Sequence, residues 1–164
     1  YLFKGTVEEN LRMAKPDASE AQMKAVLEKV NLLGFLETQE GLQTKLLEKA
    51  GNLSGGQCQR LVIARALLAD GAVYIFDEAT SNIDVESEEL IMKVIHEIAR
   101  TKTVLLISHR LANVVDSDQI YFLKDGEIKE GGKHEELMRM NGAYRHLYES
   151  QMALENYGKE GKRG

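Results

Sequence analysis

The sequence lacks several features on which large classes of protein depend. Its 164 residues include one cysteine, Cys58, one proline and no tryptophan. One cysteine excludes a disulfide scaffold, and together with four histidines it is too few for a zinc framework. No apolar run has the length needed to span a bilayer, and no stretch has the pattern of a secretory signal peptide. We therefore expect a soluble chain in a reducing, cytosolic setting.

An excess of positive charge is also absent. Asp and Glu total 26 against 21 for Lys and Arg, which gives a formal net charge of −5. This acidic balance argues against nucleic acid as the main partner. With 43% hydrophobic residues, the chain is long and apolar enough for one domain with a core of its own.

The spacing of apolar residues predicts an alternation of helices and strands. The predicted elements are helices near 16–32, 54–68 and 86–100, strands at 72–76 and 103–108, a hairpin over 119–131, and helices near 134–140 and 143–155. Asp17 is the expected N-cap of the first helix, with Glu20 completing a capping box. Because the strands are continuously apolar and alternate with helices, we expect an α/β fold with a parallel sheet covered on both faces.

The stretch NLSGGQCQR, residues 52–60, places two adjacent glycines at the start of a predicted helix. Ser54 and Gln57 match the S-x-x-Q capping box, which accounts for these two residues but not for Gly55 and Gly56. A glycine inside a helix costs up to about 1 kcal/mol relative to alanine. Glycines also let an anion reach the backbone amides at a positively polarised helix N-terminus. On these residues alone, a plain capping box and an anion-binding helix start are both open.

A pair of carboxylates follows the first apolar strand in VYIFDEATSNID, residues 73–84. In a parallel sheet, ligands bind at the edge where the carboxyl ends of the strands meet. At that edge Asp77 suits a magnesium ion held mostly through water, and Glu78 suits the polarisation of an attacking water. The alternative is that Asp77, Glu78 and Asp84 are ordinary strand-end and helix-cap carboxylates.

His109 follows the second apolar strand in LLISHR. We expect it at the same sheet edge as Glu78, where an imidazole suits a bond to a phosphate oxygen or to the attacking water. The alternative is an ordinary polar loop residue. The remaining three histidines are interpreted as structural or surface residues.

In their order and spacing, these motifs resemble the nucleotide-binding domain of an ABC transporter, from Tyr1 to about Gln151. The matching residues are Ser54, Gly55, Gly56 and Gln57 for the family signature, Asp77 and Glu78 for the Walker B pair, Ser81 to Asp84 for the D-loop, and His109 for the switch histidine. LFKGTVEENL at 2–11 and the segment 131–151 further resemble the exporter-type members.

The resemblance implies an α/β fold: a P-loop NTPase (RecA-like) parallel-sheet core, here incomplete, with an α-helical subdomain. The implied organisation is a mainly helical signature subdomain at 1–60, the C-terminal half of the ATPase core at 61–157 and a disordered tail at 158–164. It also implies ATP and Mg²⁺ as cofactors of the complete domain, and ATP hydrolysis coupled to export at the cytoplasmic face of the cell membrane. The implied partners are a second nucleotide-binding domain, identical or distinct, and a transmembrane domain, with no nucleic acid.

The same resemblance implies a role for each matching residue. Ser54, Gly55, Gly56 and Gln57 would bind the γ-phosphate of ATP held by the opposite domain. In its own domain, Asp77 would hold Mg²⁺ through water, and Glu78 and His109 would be catalytic. Ser81 and Asp84 would be D-loop residues.

A phosphate-binding loop of the form G-x-x-x-x-G-K followed by serine or threonine is absent. Three Gly-Lys pairs occur, and none is followed by serine or threonine: the next residues are His134, Glu160 and Arg163. Without the amides and lysine of such a loop, Asp77 and Glu78 would repel a nucleotide. We therefore expect the isolated chain to be inactive, to lack a strand beside the Walker B strand, and to self-associate through apolar surface.

Two further departures concern single residues. Cys58 stands where the family usually has a polar or basic residue, and its place beside the signature suggests a reactive thiol. The D-loop reads SNID in place of the more usual SALD, with its outer residues retained.

Two alternatives to a transport ATPase remain. The first is a non-catalytic module whose signature face completes the ATP site of a partner domain. The second is the related chromosome-maintenance and DNA-repair ATPases, which usually have long coiled coils and a basic face that this chain lacks.

Overall fold

The computed structural model describes residues 1–80 and 83–160, which form two compact units. The first unit runs from Tyr1 to Ile107 and the second from Ser108 onward. Among the described residues, no helix is both long enough and apolar enough to cross a membrane. The predicted subdomain boundary after residue 60 falls inside a helix of the first unit and stays a prediction.

The first unit begins with a small antiparallel pair of strands and several short helices. Strand β1 (Gly5–Thr6) pairs with β2 (Lys45–Leu46). Between and after them lie α1 (Val7–Arg12), α2 (Glu20–Lys29), α3 (Leu33–Glu37), and 3-10 turns at Gly41–Gln43 and Glu48–Ala50. Their apolar side chains join those of the later elements in one buried core.

Helix α2 begins at Glu20, later than its sequence pattern predicts. Its N-cap is Ser19, whose hydroxyl accepts a bond from the Gln22 N–H while the Gln22 side chain accepts from the Ser19 N–H. The predicted box of Asp17 and Glu20 is therefore wrong. The two patterns overlap in sequence, and a turn in which the Ala18 N–H bonds the carbonyl three residues earlier delays the start of the helix.

The middle of the chain forms a β-α-β unit close to its predicted bounds. Helix α4 (Gly55–Ala69) precedes β3 (Val73–Asp77), α5 (Val85–Ala99) and β4 (Thr103–Ile107). The two strands pair in parallel, with Asp77 opposite Ile107. The prediction of parallel strands with a helical connection is confirmed.

Among the described residues, side chains and helices cover one face of this two-stranded sheet and leave the other exposed. Tyr74 and Phe76 of β3 are buried in the core that also contains the apolar side of α5. On the opposite face the exposed side chains are Val73 at 58%, Ile75 at 66%, Leu105 at 52% and Ile107 at 45%. The prediction of coverage on both faces is wrong for the described residues, since alternate side chains of a strand point to opposite faces and helices pack on one of them.

The second unit contains the predicted hairpin and closing helices. After a 3-10 turn at Leu111–Val114, β5 (Ile120–Lys124) pairs antiparallel with β6 (Glu127–Gly132), followed by α6 (His134–Met140) and α7 (Ala143–Glu160). Tyr144 is fully buried, and its hydroxyl lies 2.8 Å from Nδ1 of His134.

Helix α7 is longer than predicted. It continues to Glu160, whereas the sequence predicts a helix that ends near residue 155. The disordered tail at 158–164 stays a prediction. Backbone bonds of an established helix continue across such residues at little cost, because each added residue contributes one bond. Residues 161–164 lie outside the described part of the chain.

Candidate functional site

The start of α4 forms the capping box that the sequence predicts. The Ser54 hydroxyl accepts a 3.2 Å bond from the Gln57 N–H, and the Ser54 N–H donates a 2.9 Å bond to Gln57 Oε1. The first N–H that bonds back within the helix is that of Cys58, which reaches the Ser54 carbonyl at 2.9 Å. The amides of Gly55 and Gly56 therefore precede the intrahelical bonding pattern and are the donors that a helix start leaves for a ligand.

The two glycines of this helix start differ in their surroundings. Gly55 is exposed and Gly56 is buried. A Cβ atom at Gly56 would lie 2.1 Å from Ser87 Oγ and 2.4 Å from Ser87 Cβ, at the start of α5. The helix that carries the glycines thus touches the helix that follows Asp84.

Asp77 and Glu78 lie where β3 ends. Both are exposed, and Asp77 stands opposite Ile107 in the register of the parallel pair. The Glu78 N–H donates a 3.0 Å bond to the Ile107 carbonyl, and the Glu78 backbone has a φ of 48°. That left-handed conformation is unusual for a residue with a side chain, and such residues cluster at functional sites.

Asp84 is the N-cap of α5. Its Oδ1 accepts a 2.8 Å bond from the Ser87 N–H. Bonds from the backbone and hydroxyl of Ser87 hold the pKa of the Asp84 carboxyl below its usual value, and the charge of Arg60 acts in the same direction. The helix-cap interpretation of Asp84 therefore holds. Ser81, the other predicted D-loop residue, lies outside the described residues.

His109 belongs to the second unit, in the loop that follows β4. Ser108 makes a tight turn there, because its hydroxyl accepts from the Arg110 N–H at 3.0 Å. The side chain of Gln151 on α7 donates to the His109 carbonyl at 2.7 Å and accepts from the Leu111 N–H at 2.9 Å.

Three residues of this arrangement are not identified by motif reasoning. Ser87 and Gln151 contact a predicted site residue directly. Arg60 donates to the Gly56 carbonyl at 3.3 Å and to the Asn31 carbonyl at 2.7 Å, which ties α4 to the end of α2. Only Ser87 had a local signal, since it stands three residues after the cap Asp84.

The environment of Cys58 does not favour the reactive thiol expected from its position. The side chain is partly buried, and its sulfur lies 3.7 Å from the Ala50 carbonyl oxygen. Burial raises the pKa of the Cys58 thiol. Because the thiolate is the nucleophile, a raised pKa lowers reactivity near neutral pH.

The carboxylates do not form a metal site by themselves. Among the described residues, no group of three or more His, Cys, Asp or Glu side chains is placed to hold a metal ion. Asp77 and Glu78 nevertheless fit the protein share of a magnesium site, in which one or two carboxylates act with phosphate oxygens and water.

Comparison with known proteins gives one consistent result. The sequence model of a family described as "ABC transporter" matches residues 2–81. An ABC transporter ATP-binding protein from Haemophilus influenzae is 53% identical over 94% of this chain, and an ATP-dependent lipid A-core flippase from Mannheimia succiniciproducens is 44% identical over 92% of it. The chain spans 28% and 26% of these two relatives, about a quarter of their length.

A solved structure gives the same result. A bacterial Atm1-family ABC exporter with ATP bound is similar to 92% of this chain, with a TM-score of 0.84 and 33% identity, and the chain covers 26% of it. The predicted fold, part of a P-loop NTPase of the ABC type, is confirmed.

Proposed function

Because this chain belongs to the ABC transporter family, we propose that it is the C-terminal portion of an ATP-binding domain that couples ATP hydrolysis to export. The parent would work at the cytoplasmic face of the cell membrane, with a second nucleotide-binding domain and a transmembrane domain as partners. The relatives named as flippases and the exporter structure support this direction of transport.

The observation that carries the proposal is the position of Asp77 and Glu78. They stand at the carboxyl end of a parallel strand, where ligands of such sheets bind, and Glu78 has a left-handed backbone. Asp77 would hold Mg²⁺ through water, and Glu78 would polarise the attacking water. The ion would supply positive charge that offsets the charge of the phosphates.

The start of α4 has a different role in this proposal. Ser54, Gly55, Gly56 and Gln57 would bind the phosphates of an ATP molecule held by the opposite domain. The exposed Gly55 and the positive end of a 15-residue helix suit such an anion. The box between Ser54 and Gln57 would keep the first turn in place while the anion binds.

His109 and the D-loop each have a role of their own in this proposal. His109 would contact a phosphate oxygen or the attacking water, with its loop held by Gln151. Asp84 would fix the end of the D-loop through its bond to Ser87. Ser81 would be the other D-loop residue.

By itself the chain would neither bind nor hydrolyse ATP. No G-x-x-x-x-G-K-S/T loop occurs in its sequence, so the β- and γ-phosphates have no cradle of amides and lysine. The same observation favours a second candidate for the chain in isolation: a non-catalytic module whose signature face completes the ATP site of a partner domain.

The test is association of the chain with a complete ATP-binding domain of the same family. That domain carries glutamine in place of its catalytic glutamate, so it holds Mg²⁺-ATP without hydrolysing it. We expect a complex in sedimentation velocity with Mg²⁺-ATP and none with Mg²⁺-ADP. Equal association with either nucleotide, or with neither, would contradict the proposal.

A further inference from the structure

The starts of α4 and α5 are closer than ordinary side chains allow. Gly56 is buried at this contact, and the side chain opposite is Ser87, itself only 6% exposed. A Cβ atom on Gly56 would meet Ser87 Oγ at 2.1 Å, Ser87 Cβ at 2.4 Å and Asp84 Oδ2 at 3.4 Å. Any residue other than glycine at position 56 therefore collides with α5.

Side-chain rotation does not relieve this collision. Turning the Ser87 side chain moves its hydroxyl away, but Ser87 Cβ is attached to the backbone and stays 2.4 Å from the added atom. One of the two helices would have to shift, and packed interiors resist such shifts. The separation of α4 from α5 thus depends on the missing side chain at position 56.

The same contact includes the cap of α5. Ser87 donates its N–H to Asp84 Oδ1 at 2.8 Å, so moving Ser87 disturbs the cap as well. Arg60, one turn further along α4, bonds the Gly56 carbonyl at 3.3 Å. The beginning of α4 and the residue that ends the D-loop are joined through Gly56 and Ser87.

We propose that Gly56 and Ser87 are a pair of positioning residues, which hold the phosphate-binding start of α4 and the D-loop residue Asp84 as one rigid piece. The roles of the start of α4 and of Asp84 rest on the proposed function, whereas the contact between Gly56 and Ser87 does not. Gly55 and Gly56 then have different reasons to be glycine. Gly55 is exposed where the phosphates would bind. Gly56 has no room for a side chain because Ser87 occupies the space that its Cβ would need.

The experiment is a set of compensating substitutions in the 164-residue chain. Gly56→Ala introduces the collision, Ser87→Gly removes both atoms that cause it, and Ser87→Ala removes only the hydroxyl. Thermal unfolding, with amide hydrogen exchange over residues 54–60 and 85–91, is measured for each single variant and for the two pairs.

We expect Gly56→Ala to lower the Tm by about 2 to 12 °C, the range for overpacking in a chain of this size, and to speed exchange at both helix starts. Adding Ser87→Gly should return Tm and exchange to the values of Ser87→Gly alone. Adding Ser87→Ala should not, because its Cβ remains. Rescue by Ser87→Gly but not by Ser87→Ala is the result that the contact predicts.

Two results would overturn the proposal. The first is a Gly56→Ala variant that unfolds and exchanges like the unsubstituted chain. The second is a pair with Ser87→Gly that shows the sum of both single losses, since independent sites add. Failure of the unsubstituted chain to bind an ATP-loaded domain would count against the proposed function alone, and the unfolding result would stand.

Discussion

The side-chain amide of Gln151 on α7 holds both sides of the His109 loop. Its nitrogen donates to the His109 carbonyl at 2.7 Å, and its oxygen accepts from the Leu111 N–H at 2.9 Å. One side chain thus satisfies two backbone groups that flank Arg110. The position of the His109 backbone therefore depends on Gln151, which lies 42 residues later in the chain.

Gln151→Ala should therefore slow ATP turnover if His109 acts in hydrolysis. Both bonds are lost, each worth about 1 kcal/mol. In a complete ATPase that contains this chain, we expect turnover to fall by up to about 30-fold, the value if the whole loss appears in the barrier. Gln151→Glu keeps an acceptor for Leu111 but loses the donor to His109, so it should also be slow. Steady-state ATPase assays measure both.

The matched control for Gln151 is Ser150→Ala. The Ser150 hydroxyl donates only to the His146 carbonyl within α7, at 2.7 Å, so its loss should leave turnover unchanged. Equal turnover for Gln151→Ala and Ser150→Ala would show that the loop contact has no part in hydrolysis.

Ser54→Ala should affect both stability and association. The lost cap costs about 1 kcal/mol of unfolding free energy, and the lost hydroxyl weakens association with the ATP-loaded domain. Ser19→Ala removes the equivalent hydroxyl from the capping box of α2. Urea unfolding should show similar losses for the two variants, and sedimentation velocity a loss for Ser54→Ala only. A Ser54→Ala chain that associates as well as Ser19→Ala would leave Ser54 with a capping role alone.

The exposed face of the β3–β4 sheet should drive self-association. Ile75→Thr with Leu105→Thr removes two large exposed apolar side chains, each worth about 1.5 to 3 kcal/mol when fully buried. We expect sedimentation equilibrium to show association at least about tenfold weaker. Met13→Gln, another exposed apolar position away from the sheet, should leave it unchanged. Equal association of both variants would exclude the sheet face as the contact.

Cys58 should alkylate slowly near neutral pH. Burial raises the pKa of the thiol above its ordinary value of 9.0, so less thiolate is present at pH 7 to 8 than in an exposed cysteine. The rate with iodoacetamide should still be rising at pH 9, and unfolding in urea should speed the reaction at pH 7.5. A rate at pH 7 equal to that of the unfolded chain would contradict this.

Local patterns predicted the elements of the fold well. The parallel strands, the helix between them, the hairpin and the box of Ser54 and Gln57 all depend on residues close in sequence. The predicted start of α2 was wrong because two capping patterns overlap in sequence, and the turn at Ala18 decides between them. The prediction that both faces of the sheet are covered was wrong because apolar strands indicate burial but do not indicate which elements cover each face.

The contacts that arrange the candidate site were beyond motif reasoning. Gly56 meets Ser87 across 31 positions and Gln151 meets His109 across 42, so neither pair lies within one element. The motif explained why the helix start contains a glycine, but not that the two glycines have different neighbours. Such pairings depend on how helices pack, which local periodicity does not specify.

Calorimetric titration of the 164-residue chain with Mg²⁺-ATP at high protein concentration tests the central claim most directly. The sequence contains the proposed signature and the carboxylates Asp77 and Glu78 but no G-x-x-x-x-G-K-S/T loop, so we predict no detectable heat of binding. Saturable binding, lost on substitution of Asp77, would mean that the phosphates are held without that loop and would contradict the account.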